Sequence, residues 1–125
     1  MTVSEKIDSS LSLLYSSKWN LKKREKAFSM LCDIFNEHQL AIIRKGYQSG
    51  LTRECLQLML YPGFSWQQMH IIAEGIRNGL SSKQLNYLIK HKHSLTEMKI
   101  VLGAFKNGVT EEELLHCYRE IKNRE

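Results

Sequence analysis

The sequence predicts an all-α fold of about eight helices: three stacked 29-residue helical hairpins behind an N-terminal helical hairpin. Three observations lead there. Pairs and single residues recur every 29 positions: Gln39-Leu40, Gln68-Met69 and Glu97-Met98; Ile42, Ile71 and Ile100; Gly50, Gly79 and Gly108. Helix-capping residues stand at fixed offsets within each period. The apolar residues between the caps follow helical spacing.

Taken in order, residues 1–35 form the irregular part. A helix from about Ser4 carries Ile7, Leu11 and Leu14, and Asn20 can cap another bearing Leu21, Phe28, Leu31, Ile34 and Phe35. This hairpin is expected to cap the stack. Units 36–64, 65–93 and 94–122 follow, the whole chain 1–125 being one domain. Each unit opens on Asn36, Ser65 or Ser94, with Gln39, Gln68 or Glu97 three residues on, the capping-box spacing. Each first helix ends at a glycine able to take the left-handed conformation: Gly50, Gly79 or Gly108. Thr52, Ser81 or Thr110 then caps a second, shorter helix. Gln84 and Glu113 complete that box in two units, whereas Cys55 interrupts it in the first. Pro62-Gly63 closes the first unit.

The stripes are Leu40, Ile43 and Tyr47, then Met69, Ile72 and Ile76, then Met98, Val101 and Phe105, each widened by Ile42, Ile71 or Ile100. Gly46, Gly75 and Ala104 recur inside the first helices, where a glycine costs about 1 kcal/mol of helix propensity. A recurring small residue there points to close helix contact.

Composition excludes several classes. Of 125 residues, 42% are hydrophobic and 25% charged, with one proline, so neither disorder nor low complexity fits. The three cysteines, Cys32, Cys55 and Cys117, lack CxxC spacing, which argues against a disulfide framework or zinc ribbon. The N-terminus has no apolar signal core, and no apolar run nears the roughly 20 residues of a membrane span. A cytoplasmic protein without membrane contact is expected. Charge is uneven: 18 Lys and Arg against 13 Asp and Glu give +5, and residues 18–92 alone hold 12 basic and 5 acidic side chains. A basic middle calls for an anionic partner.

Tyr61-Pro62-Gly63-Phe64-Ser65-Trp66-Gln67-Gln68-Met69, followed by Ile72, Gly75, Gly79 and Leu80, resembles the Gln-Met/Gly-Leu helical repeats of the form YxxPxFDxxQMxxIxxGLxxGLD. Such repeats occur in proteins of phages, plasmids and conjugative elements of low-GC Gram-positive bacteria. The middle unit carries the likeness best, and the flanking units extend it weakly over 36–122. Ser65 and Ser81 stand where the pattern has Asp, and Tyr61-Pro62 lacks part of its spacer. The resemblance implies a mobile-element origin, where small proteins bind and block host defence machinery, anti-CRISPR proteins among them.

No catalytic or metal constellation stands out. His91 and His93 are two apart and so do not share a helix face. Glu111-Glu112-Glu113 suits the positive end of a helix dipole. The chain is therefore expected to be a non-enzyme without cofactor or metal. The leading expectation is a protein that inhibits or modulates a host protein or ribonucleoprotein with an anionic surface, a CRISPR-associated nuclease being the sharpest example. Its partner-binding candidates are Lys22, Lys23, Lys26, Trp66, Arg77 and Lys106. Trp66 is chosen because tryptophan is enriched at interface hot spots, and Gln48, Arg77 and Lys106 because stacking would set them in a row. The alternative is a DNA- or RNA-binding regulator with helix-turn-helix-like units. It would use Lys18, Lys22, Lys23, Arg24, Lys26, Arg53 and Lys83 for direct nucleic-acid contact, with Trp19 inside the basic run. Nothing in the sequence sets an oligomeric state.

Overall fold

The computed structural model describes residues 2–16, 20–90 and 94–116. They are all-α, with no strand among them. Seven complete helices are α1 (Val3–Ser16), α2 (Leu21–Cys32), α3 (Glu37–Gln48), α4 (Arg53–Met59), α5 (Trp66–Arg77), α6 (Ser82–Lys90) and α7 (Leu95–Lys106). An eighth, α8, is described over 111–116. Lys18, Trp19, His91, Lys92, His93, Cys117 and the rest of the third unit lie outside the described residues.

Helices α3, α5 and α7 are each 12 residues long and begin 29 residues apart. Local chemistry explains the common length. At each start the cap side chain accepts from the backbone amide three residues on, and that residue's side chain accepts from the cap's amide: Asn36 with Gln39, Ser65 with Gln68, Ser94 with Glu97. At each end the glycine has positive φ, 91° at Gly50, 76° at Gly79 and 89° at Gly108. Two backbone bonds close each of these ends: Gly50 to Tyr47 O and Leu51 to Gly46 O, with Gly79 and Leu80, and Gly108 and Val109, repeating them. This is the Schellman arrangement, which satisfies carbonyls that would otherwise be left bare. Thr52, Ser81 and Thr110 cap the second helices, Ser81 with a full reciprocal pair to Gln84.

The described contacts fall into two compact units, 1–69 and 70–125, divided within α5. In the first, α1 packs on α2, and α4 packs on both α1 and α3. Ile7, Leu11, Leu14, Phe28, Leu31, Ile43, Leu56 and Met59 are buried there. Three rings run edge to face, Tyr15 to Tyr47 at 5.4 Å and Tyr47 to Phe28 at 6.1 Å, and the Arg44 guanidinium lies 4.1 Å above the Phe28 ring. Gln39 is buried as well. Its side-chain amide donates to Phe64 O at 2.6 Å, which ties the start of α3 to the segment before α5.

In the second unit, Ile71, Ile72, Leu85, Leu88, Met98, Val101, Leu102 and Phe105 are buried. Tyr87 meets Phe105 edge-on at 5.9 Å. The recurring small residues do admit close neighbours. A Cβ added at Gly46 would come within 3.1 Å of Leu51, Leu56 and Met59 side chains, and one at Gly75 within 3.0 Å of Leu80.

Four apolar expectations need correction. Ile100 is 64% exposed, although Ile71, at the same place one period earlier, is buried; in α7 the buried residues are Met98, Val101, Leu102 and Phe105. Leu21 is exposed at the first turn of α2. Ile34 and Phe35 lie beyond the end of α2, where Phe35 is buried from the connecting turn. Cys32 is the exposed last residue of α2, and Cys55 is half-buried.

Candidate anion-binding surface

Helix α2 starts at Asn20, whose side chain accepts from the Lys23 amide. Its first turn then presents Lys22, Lys23 and Arg24, with no acidic residue. Cations at a helix N-terminus oppose the macrodipole, at typically 0.3–1 kcal/mol each where exposed. By contrast α3 and α7 open on Glu37 and Glu97, as the dipole favours.

Lys22 and Lys26 share the face turned away from the core, with Lys23 on its flank. All three are exposed and have no ion-pair partner among the described residues. Three other cations in this unit are engaged: Lys6 with Asp33 at 2.7 Å, Arg53 with Asp8 at 3.8 Å and Arg44 with Glu25 at 4.0 Å, whereas Lys45 is exposed and has no such partner among the described residues.

Arg24 is not part of the lysine face. It is half-buried and points inward, because its register is that of Phe28 and Leu31, four and seven residues on. It borders a recess of about 510 Å³ lined also by Tyr15, Tyr47, Gln48, Leu51 and Thr52. The inward turn was legible in that spacing, but the run of basic letters hid it. Tyr15 is the residue here that the sequence did not single out, and Tyr47 was read only as part of the α3 apolar stripe.

The remaining candidates belong to both units. Trp66, the first residue of α5, is 39% exposed, with its ring centroid 6.1 Å from that of His38. Tyr61 is exposed and meets Phe64 edge-on at 5.0 Å. In the second unit Arg77 is exposed and unpaired among the described residues, whereas Lys106 reaches Glu74 at 3.4 Å. Lys83 is exposed in the first turn of α6. Arg53, offered for base contacts in the helix-turn-helix expectation, is turned toward α1 by its pairing with Asp8.

Among the described residues no group of three or more His, Cys, Asp or Glu is placed to hold a metal, and no helix is long and apolar enough to cross a membrane. No protein-family model, curated protein or solved structure matches the chain.

Proposed function

We propose that this chain is a non-catalytic binding protein of phage or mobile-element type, acting in the cytoplasm of a bacterial host. It occupies an anionic surface of a host protein or ribonucleoprotein, inhibiting or modulating it. A CRISPR-associated nuclease is the sharpest example, through the resemblance of 61–80 to mobile-element repeats. The observation that carries the reading is the placement of Lys22, Lys23 and Lys26: all exposed and unpaired, Lys22 and Lys23 in the first turn of a helix, where positive charge costs stability, and Lys26 one turn on from Lys22. A partner bearing acidic groups or phosphates converts that cost into attraction and steers encounter. In the second unit Arg77 is a further exposed, unpaired cation, and in the first Trp66 supplies an aromatic anchor.

The finer architecture belongs to the same proposal. The hairpins 36–64, 65–93 and 94–122 stack as repeats upon the N-terminal hairpin, in one domain. Its support is the 29-residue recurrence of caps and stops, since a single such hairpin cannot bury its apolar stripe alone.

The test is capture from a low-GC Gram-positive lysate followed by mass spectrometry, comparing the wild type with Lys22→Glu/Lys26→Glu. Wild type should capture a partner that the charge-reversed protein loses, with association slowing as salt rises. Equal capture by both, together with loss in Trp66→Ala, would move the interface to the aromatic patch. A second reading, direct recognition of DNA or RNA, is favoured by the unpaired Lys83 on α6. It requires steeply salt-dependent binding of the purified protein to nucleic acid alone.

A further inference from the structure

The Arg24 recess lies apart from the lysine face, since Lys22 is about 200° around α2 from Arg24. Arginine keeps its charge under all ordinary conditions. The Arg24 Nε is closed off from solvent and donates to nothing. No acidic residue lines the recess. A shielded donor on a charged group that lacks an acceptor is costly, more so than a neutral one.

The surrounding groups do not relieve it. The Tyr15 hydroxyl donates to Leu51 O at 2.7 Å, and the Tyr47 hydroxyl to Leu14 O at 3.3 Å. Burial first, then Tyr47, Cys55 and Glu54, push the Tyr15 hydroxyl up to about 12, so no phenolate stands there to balance Arg24 at neutral pH. Glu25 faces Arg44 and Asp8 faces Arg53. Glu54 is an exposed residue of α4 and is not part of the lining.

We propose that this recess binds an oxyanion, the phosphate or carboxylate group of a small ligand, with Arg24 as its anchoring cation. The uncommitted donors match such a group: the guanidinium fork, the Gln48 side-chain amide and the Thr52 hydroxyl. The Thr52 oxygen accepts from the Cys55 amide, which leaves its own O–H to donate. Charge-assisted bonds from a guanidinium to an oxyanion are among the stronger ones available to a protein. The Tyr15 and Tyr47 rings give the space beyond the anion an aromatic wall. The site goes beyond the lysine-face reading and does not depend on it.

The experiment is a titration followed by NMR of backbone and side-chain N–H signals. Sodium phosphate is added in one arm and sodium acetate in the other, at ionic strength held constant with sodium chloride. The expected result is saturable movement of the Arg24 Nε–H and Gln48 amide signals in at least one arm, and the arm that saturates identifies the ligand group. Arg24→Gln should weaken that binding by at least about tenfold. Lys22→Gln/Lys26→Gln should leave the curve as in the wild type, which separates this site from the lysine face. If Arg24→Gln does not fold, Arg24→Lys, which keeps the charge but loses Nε–H and the fork, and Gln48→Ala should each weaken binding. Non-saturating movement in both arms, or saturation unchanged by the Arg24 and Gln48 variants, overturns the proposal.

Discussion

Gln39 works at two levels: its oxygen accepts from the Asn36 amide, and its NH₂ group donates to Phe64 O from a buried position. Gln84 makes the equivalent cap on α6 closer to the surface. Gln39→Ala should therefore cost roughly 1–3 kcal/mol, because it strands buried polar groups, and Gln84→Ala distinctly less. Urea unfolding midpoints at unchanged slope would check the difference. Tyr15 gives a pH signature. Burial raises its pKa in the folded protein to about 12, above the ordinary tyrosine value of 10.0. Between those values the unfolded chain releases the phenolic proton while the folded one retains it, so stability falls as pH rises. Below 10 the contribution is complete, and it is lost through 12. Melting temperatures across pH 9–12 should decline more steeply in the wild type than in Tyr15→Phe. The capping role of Gln39 was legible, since its partner is three residues away. Its bond to Phe64 was not, because a contact 25 residues distant leaves no local spacing to find.

At the scale of helices, the same end recurs with two different fillings. In the first two copies a glycine faces a leucine, Gly46 with Leu51 and Gly75 with Leu80; in the third, Ala104 and Val109 hold the same two hydrogen-bonded positions. The alanine thus comes with a smaller partner, a volume exchange that keeps the backbone bonds at 3.1–3.2 Å in all three. Gly75→Ala gains helix propensity of about 1 kcal/mol but puts a Cβ 3.0 Å from Leu80. Leu80→Val alone removes buried volume. A double-mutant cycle should find the pair coupled favourably by at least about 0.5 kcal/mol. Strict additivity would mean that the two positions do not share space. Starts and stops were the most readable elements of the sequence because each depends on four to six consecutive residues. The exposed outer register of Ile100 was not, since Ile71, its equivalent one period earlier, is buried; burial depends on neighbours that the period alone does not specify.

For the molecule as a whole, the units 1–69 and 70–125 divide inside α5, not at the repeat boundary before Ser65. If the repeats fold as one cooperative array, calorimetry should show a single transition whose calorimetric and van't Hoff enthalpies agree. Ile72→Ala should lower that one transition by roughly 2–5 kcal/mol, since the side chain is completely buried. Ile100→Ala should stay within about 0.5 kcal/mol, as expected of a surface change. A second transition, untouched by Ile72→Ala, would show the repeats uncoupled. The paired caps and left-handed glycines also bear on how such a chain could change length. Every 29-residue segment contains its own opening bonds at Asn36, Ser65 or Ser94 and its own closing glycine at Gly50, Gly79 or Gly108. A copy duplicated in frame by recombination would thus arrive with both signals intact. The number of segments can grow or shrink by whole copies without any new residue being needed to start or stop a helix.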